Sequence, residues 1–385
     1  MKIALLTEKY TPDIGGLAIS AERLAKLLSS AGHQVHIFAP TLNLPASETR
    51  TRSSNGISVT RFGAHKRVDD TLVDWFEFLV QEHKREAFDI LHAYFLTQAG
   101  FVATYAGNYL SIPSVISARG NDLERAIFDP SRATHILYAL RHANAVTTNA
   151  NELARKARAL VPDLEVTVIP NGIDPEHFKP LTRNNALAES LILVDKGKVK
   201  EISRVIGFAG ELREKKGLGT LLIAYAQVNK KSPATLLIVG DIRTGEDSQI
   251  FEEFKRTNPE ARIIVTGFVS PKDLPAYYSL MDIFVHPSWR DGLPNALLEA
   301  MACGKAVIGT EVGGIVDAVT DCQNGRLVPA KDTAQLAYVI NELLSDNQLR
   351  KKLGIAARQT IMNHFTPQAE LNRNLSVYRH LGLKT

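Results

Sequence analysis

The chain has 385 residues, 45% of them apolar and 22% charged, a length beyond what one hydrophobic core usually supports, so two or more globular domains are expected. A formal net charge of +4 argues weakly for anionic, phosphate-bearing ligands and does not single out nucleic acid as a partner. No run of about 18 apolar residues occurs, and the two cysteines, Cys303 and Cys322, build no disulfide framework; the expectation is a reduced cytoplasmic protein, soluble or at most peripheral to the inner face of a membrane.

Short β-rich apolar runs alternate with helical patterns along the chain, the signature of βα units on a parallel sheet. Strands are expected near 2–7, 34–39, 57–62, 89–93, 113–117, 144–149 and 166–170, with helices between them. Asn171-Gly172-Ile173-Asp174-Pro175 is a turn cluster that closes this first half and opens a linker. After a polar stretch around 180–200 the pattern restarts, with strands near 203–209, 234–240, 262–267, 282–286, 305–310 and 325–328. Beyond Pro329 it becomes helical, near 332–345, 347–363 and 367–381, the last led by Thr366-Pro367 as N-cap and first helical position.

The first strand runs into Tyr10-Thr11-Pro12-Asp13-Ile14-Gly15-Gly16-Leu17 and then a helix. Gly15 and Gly16 let a ligand approach the backbone closely and leave helix N–H groups for an anion; a plain tight turn uses the same residues. The loop is not G-x-G-x-x-G and no acidic residue ends the second strand, His33 to Pro40, which disfavours a dinucleotide oxidoreductase. In the second half, the loop from Gly210 to Gly217 carries Arg213 and Lys216 between a strand's carboxyl end and the next helix. A guanidinium fork and an ammonium point charge there suit a diphosphate, while a solvated charged loop is the competing account.

Asp291 and Glu299 bracket seven residues. A turn at Gly292 and a helix start at Pro294 put Asp291 before the helix and Glu299 within it, so the N–H groups of Asn295, Ala296 and Leu297 form an anion site between two carboxylates. Asp291 as a turn former and Glu299 on an exposed helix face is the bland alternative. The segment follows His286-Pro287-Ser288 at the end of an apolar strand and so lies at the carboxyl edge again. His92 reads first as a packed or capping histidine and second as a ligand. No His/Asp/Cys cluster has metal-ligand spacing and no Asp-x-Asp occurs, so chemistry without metal or cofactor is expected.

Taken in order, the Gly15-Gly16 loop, Asp89-Ile90-Leu91-His92-Ala93, Arg119-Gly120-Asn121-Asp122, Ile169-Pro170-Asn171-Gly172-Ile173-Asp174, the Gly210–Gly217 loop and the Asp291–Gly304 segment resemble retaining glycosyltransferases of family 4. The resemblance implies the α/β GT-B fold: two facing Rossmann-like domains, 1–176 on the acceptor side and 177–365 on the donor side, with a C-terminal helix in 366–385 crossing back to the first. It implies a UDP- or GDP-linked sugar as donor and a glycan, a lipid-linked molecule or a small molecule as acceptor. Glu299 would bind the ribose hydroxyls, Asp291 would sit near the hydroxyls of the transferred sugar, and Arg213 and Lys216 would hold the diphosphate. Gly16 would meet the donor through its backbone, the turn Gly267-Phe268-Val269 would meet the base, and Arg119 would lie near the phosphate and reacting carbon. No general base is implied.

Three positions depart from the family's pattern. Asp291 stands where Glu is usual and shortens the reach by one methylene. Glu211 stands where Arg is commonest; with strand period two Arg213 is expected to point the same way and substitute for it, the alternative being that Glu211 weakens phosphate binding. Arg119 replaces a common His, exchanging a titratable group for a permanent cation; its structural alternative is an ion pair with Asp122. These departures keep a second reading open, a GT-B module that binds a nucleotide sugar without turnover. The basic run His65-Lys66-Arg67, the stretch Arg155-Lys156-Ala157-Arg158 and the aromatics Trp75, Phe76 and Phe78 suit contact with an anionic membrane bearing a lipid-linked acceptor; a solvated face over ordinary core aromatics is the alternative.

Overall fold

Runs such as Ile90–Tyr94, Ser114–Ala118, Ala234–Val239 and Ala306–Thr310 are buried at every position, as strands covered on both faces by helices must be. In the computed structural model the described residues are 1–13, 15–192 and 204–385; Ile14 of the first glycine loop, the later part of the polar stretch and the expected strand start at 203 lie outside them. The chain divides into two compact units, Met1–Asn171 with Pro367–Thr385, and Gly172–Thr366. Residues 172–176, assigned by sequence to the first domain, cluster with the second, where the Ile173 N–H donates to the Phe365 carbonyl at 2.7 Å.

The first unit holds eight strands: β1 (Lys2–Thr7), β2 (Gln34–Ala46), β3 (Thr49–Ser54), β4 (Ile57–Gly63), β5 (Ile90–Tyr94), β6 (Ser114–Ala118), β7 (Ala145–Thr148) and β8 (Val166–Val168). Their order is β3-β4-β2-β1-β5-β6-β7-β8, parallel throughout except for β3 on β4. β3 is absent from the sequence reading: all six residues of Thr-Arg-Thr-Arg-Ser-Ser are exposed, and an edge strand without a buried face carries no apolar period. The second unit holds β9 (Arg204–Ala209), β10 (Ala234–Val239), β11 (Ile263–Val265), β12 (Ile283–His286), β13 (Ala306–Thr310) and β14 (Arg326–Val328), all parallel in the order β11-β10-β9-β12-β13-β14. That is the doubly wound order, with its switch point between β9 and β12; in the first unit the switch falls between β1 and β5.

The helix Pro367–His380 belongs to the first unit and fastens to it through polar as well as apolar groups. The Tyr378 hydroxyl lies 2.6 Å from His92 Nδ1, and His92 Nε2 lies 2.8 Å from Ser117 Oγ, which reaches Thr147 Oγ1 at 2.6 Å. His92 is fully buried within this network, so it is the packed histidine and not a ligand. Burial, followed by the nearby Arg119 charge, pushes its imidazole down to about 3. Trp75 is likewise fully buried, and Phe76 and Phe78 pack partly buried against the same core, which removes them from any membrane-facing role.

His92→Gln is expected to cost about 1–3 kcal/mol at neutral pH by breaking a buried chain of hydrogen bonds. The folded chain keeps His92 neutral down to about 3, while an unfolded histidine protonates below 6.5. Between those values the unfolded state binds more protons, so this residue's contribution to stability falls as pH drops. Urea denaturation of both proteins from about pH 7 to 4 is therefore expected to show the gap between them narrowing with acidification.

Candidate functional site

In the second unit, the loops that leave β9 and β12 meet at the switch point. Gly217, with φ 81°, closes the 3-10 turn Glu214–Lys216, and a side chain there would run into the Pro287 carbonyl, so glycine lets the two loops touch. The Trp289 N–H donates to the Lys215 carbonyl at 3.0 Å, continuing the contact. The Lys216 ammonium is thereby brought onto Asp291 Oδ2. The same oxygen lies 3.0 Å from His286 Nε2 and 3.4 Å from the Ser288 hydroxyl, which is itself 3.0 Å from Nε2.

Burial alone would raise the Asp291 carboxyl. The Lys216 charge and the His286 contacts outweigh it and hold the group well below the usual carboxylate range. Because the ionised carboxylate only accepts, His286 carries its proton on Nε2, leaving Nδ1 as the bare nitrogen; Nδ1 is buried and has no partner among the described residues. Burial between Phe208 and Phe284, stacked at 6.0 and 6.3 Å, pushes the imidazole down and keeps it neutral. From the other side the Gly314 N–H donates to the Gly292 carbonyl at 2.5 Å, and Gly313, with φ 55°, presses against the Asp291 carbonyl where a Cβ has no room.

The helix Asn295–Ala302 starts after Pro294, with no side-chain cap among the described residues, and its first turn, Asn295, Ala296 and Leu297, lies at the carboxyl edge. Glu299, half-buried one turn in, accepts the Tyr278 hydroxyl on Oε2 at 2.8 Å. Burial, then the Glu299 charge, pushes the Tyr278 phenol well above its usual value, so it stays a donor. Arg213 Nη1 lies 3.5 Å from Glu211 Oε2, so the two side chains do point the same way, and its Nε is buried without a partner among the described residues. Val269, partly buried, follows the positive-φ turn at Gly267, beside an exposed Phe268.

In the first unit, no atom of the described residues comes within 4 Å of where a Cβ would project from Gly15 or Gly16; neither glycine is demanded by packing, and the space above the helix start Gly16–Ser30 is open. The preceding loop is pinned by Arg61, which donates to the Tyr10 carbonyl at 2.8 Å and pairs with Asp13 at 3.0 Å. Arg119 follows β6. Its guanidinium donates from Nη2 to the Tyr94 hydroxyl and to Asn171 Oδ1, both at 3.0 Å, and lies 4.2 Å over the Tyr94 ring. The Asp122 carboxylate instead accepts the backbone N–H groups of Arg119, Gly120 and Leu123, so the side-chain ion pair expected as the structural alternative gives way to a backbone turn.

Lys216, Asp291, Glu299, Arg213 and the start of helix Asn295–Ala302 therefore share the carboxyl edge of one sheet, and Gly15, Gly16 and Arg119 share that of the other. His286, Ser288, Tyr278, Tyr94 and Asn171, which hold them, carry no assignment from sequence. The strand-ending His286-Pro287-Ser288 signalled the place but not the partner; Tyr94 and Tyr278 look like ordinary core aromatics.

Two such doubly wound units on one chain define a GT-B class of fold. Residues 14–177 match the family described as Glycosyltransferase Family 4, and residues 192–360 match Glycosyl transferases group 1. Over 95% of its length the chain is 24% identical to N-acetyl-alpha-D-glucosaminyl L-malate synthase of Bacillus anthracis and 26% identical to GDP-mannose-dependent alpha-mannosyltransferase of Mycolicibacterium smegmatis, covering 94% of each. The structure of HepE from Anabaena in complex with UDP superposes with a TM-score of 0.82 at 21% identity, across 99% of this chain and 100% of that one. The chain belongs to glycosyltransferase family 4. It is a transferase of the EC 2.4 class.

Gly313→Ala is expected to push the Asp291–Gly292 turn out of place, because both the left-handed φ and the Asp291 carbonyl exclude a Cβ. A loss of about 1–3 kcal/mol in chemical denaturation is the expected outcome, together with weaker nucleotide binding by calorimetry.

Proposed function

We propose that the protein transfers a sugar from a UDP- or GDP-linked donor to a glycan, lipid-linked or small-molecule acceptor, with retention of configuration and without a metal. The observation that carries this reading is the meeting of Lys216 and Asp291 at the switch point beside an uncapped helix start, with Glu299 one turn further on. Glu299 accepts the ribose hydroxyls. Its orientation is supported by Tyr278. Asp291 Oδ2 is held by Lys216, His286 and Ser288, which leaves Oδ1 as the oxygen assigned in this reading to the hydroxyls of the transferred sugar.

The departing diphosphate gathers negative charge in the transition state, and fixed donors stabilise it best where they need no reorganisation. Lys216 spends one of three ammonium protons on Asp291 and keeps two for phosphate. Among the described residues the Arg213 guanidinium is tied only to an exposed glutamate, a pair worth about 0–1 kcal/mol, which a diphosphate displaces. The amides of Asn295, Ala296 and Leu297 add a helix N-terminus. With these charges supplied by the chain, the reaction needs no divalent cation. On the first unit, Gly15 and Gly16 offer backbone approach and Arg119 a permanent cation for the reacting sugar phosphate; Val269 follows the turn assigned to the base. If the acceptor is lipid-linked, the exposed Lys66 and Arg67 are the cations for an anionic surface. Support for the donor class comes from the relatives: one is named GDP-mannose-dependent and HepE is seen with UDP.

A nucleotide-binding module without turnover is the second reading, favoured by the neutralised cations Lys216 and Arg213. Incubation with UDP-glucose, UDP-N-acetylglucosamine and GDP-mannose, with and without acceptors, separates the two. Release of nucleoside diphosphate is expected, and protection against unfolding with no release under any condition would overturn the enzyme reading. Turnover is expected to survive EDTA. Glu299→Ala and Lys216→Ala are each expected to weaken UDP or GDP binding about 10- to 150-fold, the scale of a lost charged hydrogen bond; unchanged affinity in both would remove the site assignment.

A further inference from the structure

Arg119 is held by a hydrogen-bonded relay that starts on the C-terminal helix. Glu370, in Pro367–His380, is 1% exposed. Its carboxylate receives Arg23 Nε at 2.7 Å and Nη2 at 3.3 Å, and the Tyr94 hydroxyl reaches Oε1 at 3.4 Å. The Tyr94 oxygen in turn accepts Arg119 Nη2. A buried carboxylate is costly, and an apolar residue would pack this helix more cheaply against the first unit. What the carboxylate adds is direction. It only accepts, so the single Tyr94 proton must point at Glu370, and the lone pairs of Tyr94 are left for Arg119, which only donates. With an amide at 370 the polarity can reverse, and a Tyr94 proton turned toward Arg119 meets another donor. Nη2 is spent on Tyr94 and Asn171, while Nε and Nη1 carry no bond among the described residues. The guanidinium is thus fixed at one nitrogen and open along its other edge. Arg23 lies on the helix that opens at Gly16, so the same carboxylate also ties down the glycine turn.

We propose that Glu370 is a positioning residue for sugar transfer: through Tyr94 it sets the orientation of Arg119, and through Arg23 it anchors the helix behind Gly15 and Gly16. This rests on the assignment of Arg119 to the reacting sugar phosphate. Because the contacts proposed for the ribose and for most of the diphosphate (Glu299, Lys216, Arg213 and the start of helix Asn295–Ala302) belong to the other unit, the relay acts mainly on turnover and little on nucleotide affinity.

The experiment compares Glu370→Gln, Tyr94→Phe, Arg119→Ala and the double variant Arg119→Ala/Glu370→Gln, measuring nucleoside diphosphate release from whichever of UDP-glucose, UDP-N-acetylglucosamine or GDP-mannose the parent protein turns over fastest. Glu370→Gln and Tyr94→Phe are each expected to lower kcat about 10-fold, with donor KM and UDP or GDP affinity within about twofold. In the Arg119→Ala background, Glu370→Gln is expected to cost less than about twofold more, since a residue acting through Arg119 has nothing left to orient. A kcat for Glu370→Gln and Tyr94→Phe within twofold of the parent, or an equal loss with and without Arg119, overturns the inference alone. Unchanged kcat in Arg119→Ala overturns the Arg119 assignment and this inference with it. Tyr94→Phe keeps the ring and all the apolar packing, so it reports on the relay even if Glu370→Gln folds poorly.

Discussion

The charge on Asp291 organises the second unit. A carboxylate this enclosed is tolerated only with opposite charge and hydrogen-bond donors upon it. Here the partners come from separate stretches of chain: Lys216 from the loop after β9, and His286 and Ser288 from the end of β12. The loop after β13 braces the backbone of the same turn through Gly313 and Gly314. Satisfying one carboxylate therefore fixes three loops at the carboxyl edge, and it explains why glycine stands at 217 and 313, where backbones must nearly touch. The helix that carries Glu299 begins four residues after Asp291, so its placement is inherited from this knot.

The first unit meets the same demand with chains of hydrogen bonds, one of which ends on the buried Arg23–Glu370 ion pair. Its carboxyl edge is supported from within by two polar chains, one through His92 and Ser117 and one through Tyr94 and Glu370, and both end on the C-terminal helix. Polar chains of this kind demand that every member face the right way, since each buried donor or acceptor left unmet costs more than its bond contributes. The result is an edge whose shape depends on residues far away in sequence.

Much of this was legible from the chain alone, and the failures share a cause. Strands buried on both faces announce themselves as apolar runs, so β1, β5, β6, β9, β10, β12 and β13 fall where expected. β3 does not, because no face of it is buried. The positions of Asp291, Glu299, Lys216 and Arg213 at strand ends were readable from spacing and turn residues. Their partners were not: nothing local to Glu370 marks it as the acceptor for Arg23 and Tyr94, and the nearest carboxylate to Arg119 in sequence, Asp122, turned out to serve backbone amides. Trp75 and Phe78 show the converse, since an amphipathic period with aromatics reads the same whether the ring faces lipid or core; only packing against Phe62 decides it. Local pattern fixes where an element lies, whereas the partner of a buried polar group is a long-range fact.

The return of Pro367–Thr385 to the first unit has a consequence for how the protein is made. During synthesis the chain emerges from its amino end, so β1 to β8 and the intervening helices are exposed long before the helix that covers them exists. Until it arrives, His92, Tyr94 and Arg23 lack their partners on Tyr378 and Glu370, and that flank of the sheet stands bare. The second unit, contiguous from Gly172 to Thr366, has all of its own residues by then. The first unit thus waits for residues that follow the second, and a nascent chain made through Glu370 and Tyr378 is the earliest form in which the support behind Arg119 can close.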